Sequence, residues 1–326
     1  MNNENCVSAF AELPYGLSVV VPVYRSEQCL PELVAGLQAV LSTLNMPYEL
    51  IFVNDCSPDN SWQVICDLAA ANPEWIRGMS LLRNAGQHAA VLAGLRDARY
   101  ALTVTMDDDL QHEPKVIPQL IAALGDNYDV MYAYPEKQQH GMFRDYCSRF
   151  YKWLLTSSLK LRTVKNISAY RILRTHLREA FAHYEGPNPS IDALLTWGTN
   201  RFSSILVPHK PRAYGQSNYT LSKLIMHAVR VLTSFSVWPL HLASILGFAC
   251  TFLGVCVMIY VVLVYFLIGR GVPGFPFLAS IISLFAGIQL FCIGIIGEYL
   301  AGMYMRSFRR PTYTLYRRTK TFGKNE

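Results

Sequence analysis

The chain has 326 residues, 52% of them hydrophobic and 16% charged, with a formal net charge of +6. That length suits one large or two ordinary domains, and the positive mean hydropathy is high for a purely water-soluble protein. Eight cysteines without a C-x-x-C pair argue against a disulfide or zinc framework and for free thiols in a reducing compartment.

The N-terminal MNNEN is polar and acidic, unlike a signal peptide. From there strand and helix patterns alternate. Leu17–Val23 is a continuous, largely β-branched run, the pattern of a buried parallel strand. Leu30–Leu44 has helical spacing, and Glu49–Asn54 reads as a second strand. Ser57–Ser61 (SPDNS) offers N-caps for a helix over about 62–71. Ile76–Leu82 is a third strand, followed by a helix over about 87–99. Ala101–Met106 is a fourth, and Asp129–Tyr132 begins another. This order predicts an α/β domain with a parallel, Rossmann-like nucleotide-binding sheet.

The fourth strand ends abruptly in Asp107, Asp108 and Asp109. Adjacent carboxylates repel, so three together need a cation or full solvation. Asp55 ends the second strand, and Arg83–Gly86 (RNAG) follows the third. In a parallel sheet these ends share one edge, where open α/β sheets bind their ligands. Asp55 can accept hydrogen bonds from a base or ribose. Asp107 and Asp109 suit Mg²⁺ or Mn²⁺ on a diphosphate. Gly86 permits close approach, and the helix start after it favours anions.

Composition changes near Gln138. Met142–Leu161 and Leu221–Trp238 are amphipathic and rich in aromatic and cationic residues, as interfacial helices are. Two runs then lack any charged side chain, Leu242–Ile268 and Gly271–Gly297. Each makes a helix of roughly 40 Å, against a hydrocarbon core of about 30 Å, so a transmembrane hairpin is expected. Basic residues lie on both outer flanks, with Arg270 alone between the runs, which predicts cytoplasmic termini. The expected division is a catalytic domain over 1–220, a juxtamembrane segment over 221–240, membrane helices at about 241–268 and 275–299 within 241–302, and a basic tail over 303–326. Membrane lipids are expected partners and nucleic acid is not.

Several motifs together resemble the family 2 glycosyltransferases of GT-A fold that load sugars onto polyisoprenyl phosphates. They are Val20–Tyr24 (VVPVY), Val53–Ser57 (VNDCS), Arg83–Ala89 (RNAGQHA), Asp107–Gln111 (DDDLQ) with Pro114, Arg212–Tyr219 (RAYGQSNY), and Gly297–Leu300 (GEYL) with Arg310 and Pro311. The resemblance implies an inverting, metal-dependent transfer from a nucleotide-diphosphate sugar, UDP favoured, to a polyprenyl phosphate at the cytoplasmic face of a bacterial inner membrane. It assigns Pro22, Tyr24, Glu27 and Asp55 to the nucleoside, and Asp107, Asp109 and Gln111 to the Mg²⁺ or Mn²⁺ and the diphosphate. Gly86 and Asp108 would complete the donor cleft. Arg144, Ser148, Arg212 and Ser217 would hold phosphates near it. It is compatible with a homo-oligomer. Where the family pattern separates the two aspartates by a small residue, this chain has Asp108. Asp192 is a candidate for orienting the sugar, or simply an acid at a helix start. The competing readings are a membrane-anchored sugar-nucleotide sensor or scaffold, a metal-dependent phosphohydrolase and a processive polysaccharide synthase.

Overall fold

The computed structural model describes residues 13–135, 167–186, 189–207, 238–268, 274–308 and 310–319. The chain divides into two units, Met1–Tyr219 with Arg309–Glu326, and Thr220–Phe308.

The first unit is built on one eight-stranded sheet. Its first half runs β1 (Leu17–Val23), α1 (Leu30–Leu41), β2 (Tyr48–Asn54), α2 (Ser61–Ala71), β3 (Ile76–Leu81), α3 (Gln87–Asp97) and β4 (Leu102–Thr105). Then come α4 (Ile117–Leu124), β5 (Val130–Pro135), β6 (Arg171–Arg174), a 3₁₀ segment at Thr175–Phe181, α5 (Ile191–Gly198) and β7 (Phe202–Val207). A final strand, β8 (Leu315–Arg318), comes from the chain's last described stretch. The strand order is β7-β5-β6-β4-β1-β2-β3-β8. Strands β1 to β4 are mutually parallel, β5 and β7 are parallel to each other, and β6 and β8 run antiparallel to their neighbours. This is the expected α/β class.

Alternate side chains of the central strands serve opposite faces. Val19, Val21, Leu50 and Phe52 pack with Leu33 and Leu37 of α1, Ile65 of α2 and Leu120 of α4. Val20, Ile51, Val53 and Met79 pack with Ala90 and Ala93 of α3. Helix α3 lies close because Gly94 has no side chain: a Cβ there would sit 2.3 Å from Val20 Cγ1.

The order also creates an opening. Crossovers from β1 lead to β2 and β3 on one side, while β4 lies on the other. The β1–β4 ladder stops at Val20 opposite Thr105, with one further bond from Met106 N–H to the Val20 carbonyl. Pro22 shares Val20's side of the strand, so its missing N–H falls where β4 has already ended. The strands part there, at the topological switch point.

Helices α6 (Trp238–Ile268) and α7 (Phe275–Ser307) form the second unit. Each contains a 22-residue span long and apolar enough to cross a bilayer, Leu240–Val261 and Leu284–Met305. They pack antiparallel, with Cys292 Sγ near the Ala243 carbonyl and the Phe285 ring against Gly254. Helix α7 runs eight residues beyond the expected end at 299, because no proline interrupts it before Pro311. Within the stretch expected to be a basic tail, Leu315–Arg318 forms β8, paired with β3. It is fastened by Leu82 N–H to the Thr314 carbonyl (2.8 Å) and by Arg318 to Asp97 (2.7 Å).

Candidate active site

A cleft of about 320 Å³ opens where β1 and β4 part, lined by Pro22, Val23, Tyr24, Asp55, Asn84, Gly86, Gln87, Asp107, Asp108 and Asp109. The sequence reading put seven of these residues in one site, namely Pro22, Tyr24, Asp55, Gly86, Asp107, Asp108 and Asp109, and the strand ends bring them together. Three non-glycine residues on these loops have left-handed backbones: Arg25 after β1 (φ 59), Cys56 after β2 (φ 55) and Leu110 after β4 (φ 61). Such strain persists where surrounding bonds over-determine it.

Those bonds are present. Asp55, 3% exposed, accepts the Ala85 N–H (2.7 Å) on one carboxylate oxygen and the Gly86 N–H (2.8 Å) on the other. It therefore holds the Arg83–Gly86 loop against β2. Burial pushes its carboxyl above the ordinary range, opposed by those two amides. Gly86 has φ 91 and ψ 155, and nothing lies within 4 Å of where a Cβ would be. That backbone is nearly exclusive to glycine. It aims the start of α3 into the cleft.

The loop after β1 is tied to its neighbours residue by residue. Tyr24 N–H donates to Asp108 (3.1 Å), Arg25 N–H to Ser57 (3.3 Å) and Ser26 N–H to Ser61 (3.0 Å). Glu27 accepts the Asn60 N–H at 2.9 Å and is not among the residues lining the cleft. Tyr24 itself is 43% exposed.

Each of the outer aspartates has one oxygen held. Gln87 Nε2 donates to Asp107 (2.5 Å), and the Gln111 N–H to Asp109 (3.2 Å). The Asp107 N–H reaches His112 Nδ1 (3.2 Å), and that ring stacks on Tyr170 at 4.9 Å. His88 Nδ1 accepts the Ile191 N–H at 3.4 Å. Among the described residues no cluster of three His, Cys, Asp or Glu side chains is arranged to hold a metal. Two carboxylates in an open cleft fit Mg²⁺ or Mn²⁺ completed by water and phosphate oxygens, and do not fit a structural zinc.

A second cavity of about 230 Å³ adjoins the first, sharing Gln87 and Asp107. Its other polar lining is His88, Thr105, Ser168, Arg171 and Asp192. Arg171, from β6, pairs with Asp192 in the first turn of α5 and donates to Thr105 (3.2 Å). The Tyr132 hydroxyl donates to the same Asp192 oxygen at 2.9 Å. Burial works to strip the Arg171 proton, but Asp192, Tyr132 and Asp107 outweigh it and hold the guanidinium above its usual value. Sequence reasoning weighed Asp192 but missed Arg171, Tyr132 and Gln87. A lone arginine opening a strand-like stretch was the available signal, since a buried arginine needs a partner. Arg144, Ser148, Arg212 and Ser217 lie outside the described residues.

Comparison with known proteins adds the following. Residues 18–184 match the family model described as glycosyl transferase family 2. The chain is similar to an undecaprenyl-phosphate 4-deoxy-4-formamido-L-arabinose transferase of Aeromonas hydrophila, at 33% identity over 92% of this chain and 93% of the relative. A Yersinia enterocolitica protein of the same description is 31% identical over 91% of each chain. Among solved structures, glucosyl-3-phosphoglycerate synthase from Mycobacterium tuberculosis, in complex with Mn²⁺, UDP and phosphoglyceric acid, aligns at 16% identity with a TM-score of 0.49. That alignment covers 67% of this chain and 76% of the other. TarS from S. aureus with UDP-GlcNAc aligns at 21% identity and a TM-score of 0.47, over 67% of this chain and 65% of that one.

Proposed function

Because this chain belongs to glycosyl transferase family 2 and is a glycosyltransferase, we propose that it moves a sugar from a UDP-sugar onto undecaprenyl phosphate, with inversion, at the cytoplasmic face of a bacterial inner membrane. The observation that carries this reading is the meeting of Asp55, Asp107 and Asp109 around one switch-point cleft, in a chain that also has two helices of membrane-spanning length. The relatives' description supports the acceptor and makes a UDP-linked 4-formamido-4-deoxy-L-arabinose the first donor to try.

The chemistry follows from the groups present. A polyprenyl phosphate is a monoester with a second pKa near about 6, so it is mostly a dianion at pH 7 and attacks without a protein base. Pro22, Tyr24 and the Asp55-held loop would receive the nucleoside. The start of α3 would face the diphosphate, where helix N-termini favour negative charge. Asp107 and Asp109, with Gln111 as a further candidate, would hold the cation. Bound there, Mg²⁺ or Mn²⁺ supplies charge neutralisation on the departing nucleotide. The smaller cavity is of a size for one sugar ring, with Asp192 fixed by Arg171 and Tyr132 as an acceptor for its hydroxyls rather than a mobile base. Arg144, Ser148, Arg212 and Ser217 are proposed to hold the acceptor phosphate.

Incubation of the full chain with labelled UDP-sugars and undecaprenyl phosphate, followed by lipid extraction, is expected to give a labelled lipid. Transfer should vanish in EDTA and in Asp107→Asn and Asp109→Asn. Nucleotide binding without any labelled lipid would favour a sensor, and released free phosphate a phosphohydrolase. Protease accessibility of terminal tags in sealed vesicles decides the membrane face.

A further inference from the structure

The mouth of the larger cleft raises a structural problem. Past Val20 and Thr105 the β1–β4 ladder has ended. Pro22 has no N–H to offer β4, and the residues beyond it form one wall of the cleft while Asp107–Asp109 form the other. Two diverging walls need a tie if the cleft is to keep its width before a ligand arrives.

We propose that Asp108 is that tie, a positioning residue whose carboxylate latches the Pro22–Ser26 wall to the aspartate turn. Its Oδ2 accepts the Tyr24 N–H at 3.1 Å, across 84 residues of chain. The Ser26 hydroxyl donates back to the Tyr24 carbonyl (3.3 Å) and the Ser26 N–H to Ser61 (3.0 Å), so the turn that Asp108 grips is itself tied together. Arg25, next after Tyr24 along the chain, has a left-handed backbone (φ 59) that bends the wall just past the Tyr24–Asp108 bond. A backbone N–H in the cleft wall requires an acceptor, which a carboxylate supplies and an apolar side chain does not. The Tyr24 bond also engages the middle carboxylate of the three, so Asp107 and Asp109 face the cation as a pair. Asp108 thus sets the spacing of the nucleoside wall without touching the cation. Asparagine can keep this geometry, with its side-chain oxygen on the Tyr24 N–H. Alanine cannot.

The role in donor binding rests on the reading of this cleft as a UDP-sugar site, but the latch does not, so the test has two arms. In the first, hydrogen exchange is followed in the full chain without nucleotide. Asp108→Ala is expected to speed exchange of the Tyr24 amide by roughly tenfold, the worth of one net hydrogen bond, while Asp108→Asn stays near the parent. An unchanged Tyr24 amide in Asp108→Ala overturns the latch. In the second arm, calorimetry with UDP and Mn²⁺ is expected to show about tenfold weaker UDP binding for Asp108→Ala and near-parental binding for Asp108→Asn, with the Mn²⁺ dependence of binding retained in both. Equal loss in both variants, or a shifted Mn²⁺ dependence, makes Asp108 a ligand of the cation and overturns the positioning role. Should the parent bind no UDP, the donor assignment falls, and the exchange arm still decides the latch.

Discussion

Replacing Gly86 by alanine tests whether the Arg83–Gly86 loop must hold its observed shape to bind nucleotide. A Cβ at this position meets nothing within 4 Å, so sterics with neighbours contribute nothing. The cost lies in the backbone, at φ 91 and ψ 155. Keeping that conformation with a side chain costs about 1–3 kcal/mol. Relaxing it withdraws the Gly86 N–H from Asp55, now 2.8 Å away, and a hydrogen bond to a charged group is worth about 1.5–3 kcal/mol. Relaxation also disturbs the first turn of α3, where the Gly86 carbonyl accepts the Ala89 and Ala90 amides. Either route comes to about 2 kcal/mol, and if the loop relaxes in the free protein, UDP binding weakens by about 30-fold. Gly125 supplies the control: it also has a positive φ, 45, but ends α4 and is not among the residues lining the cleft. Gly125→Ala is expected to lower stability and leave UDP affinity unchanged. Isothermal titration calorimetry with UDP and Mn²⁺, beside thermal unfolding of both variants, separates the effects. Parental affinity in Gly86→Ala, or equal loss in Gly125→Ala, refutes the reasoning.

Three further outcomes are expected. Burial lifts the Asp55 carboxyl, so folding takes up a proton between the unfolded and folded values; that contribution to stability is complete below the unfolded value and is lost as pH rises through the folded one. The loop needs the ionised form, so UDP affinity moves the other way and falls as pH drops through the folded value; calorimetry across pH should show an acid limb above the ordinary carboxylate range that Asp55→Asn lacks. Arg171→Met strands Asp192 and should cost about 3–5 kcal/mol in denaturant unfolding, with much of it recovered in Arg171→Met/Asp192→Leu; a single variant as mild as the double would show that the pair is not effectively buried. Gly94→Ala drives a Cβ to 2.3 Å from Val20, and the overpacking cost of about 1–3 kcal/mol exceeds the helix-propensity gain of roughly 1 kcal/mol; Val20→Ala should restore the loss, and its failure to do so would place the strain elsewhere.

The central strands were readable because a strand buried on both faces is written as a continuous apolar run, and Val19–Val23 and Leu50–Val53 are such runs. Their ends were readable because Asp55, Gly86 and the three aspartates interrupt those runs at residues with strong chemical preferences. What pairs with what across long separations was not. Strand β6 is four residues with an arginine at each end, and nothing local announces that Arg171 finds Asp192 on α5. Glu27, which the resemblance assigns to the nucleoside, accepts the Asn60 N–H from the turn before α2, a pairing across 33 residues that nothing local announces. Asp108 was read into the donor cleft, but its bond to the Tyr24 N–H, 84 residues away, has no local signal.

The return of the chain as β8 has a consequence for biogenesis. Gly78 on β3 and Thr319 beside β8 bond each other although 241 residues apart. At about 5–20 residues per second, the ribosome needs tens of seconds to supply that partner after β3 has emerged. Through that interval the nascent β3 presents an unsealed sheet edge, the kind that recruits other chains. Only after both long apolar helices have been made can β8 close it, and β8 then presents a short outer edge bearing Arg317 and Arg318, which discourages a further strand from adding. A catalytic fragment cut before the helices would keep the whole cleft and lose this seal. Its aggregation would reflect a missing edge strand rather than a misfolded site, and supplying the 310–319 peptide in trans would be the way to tell.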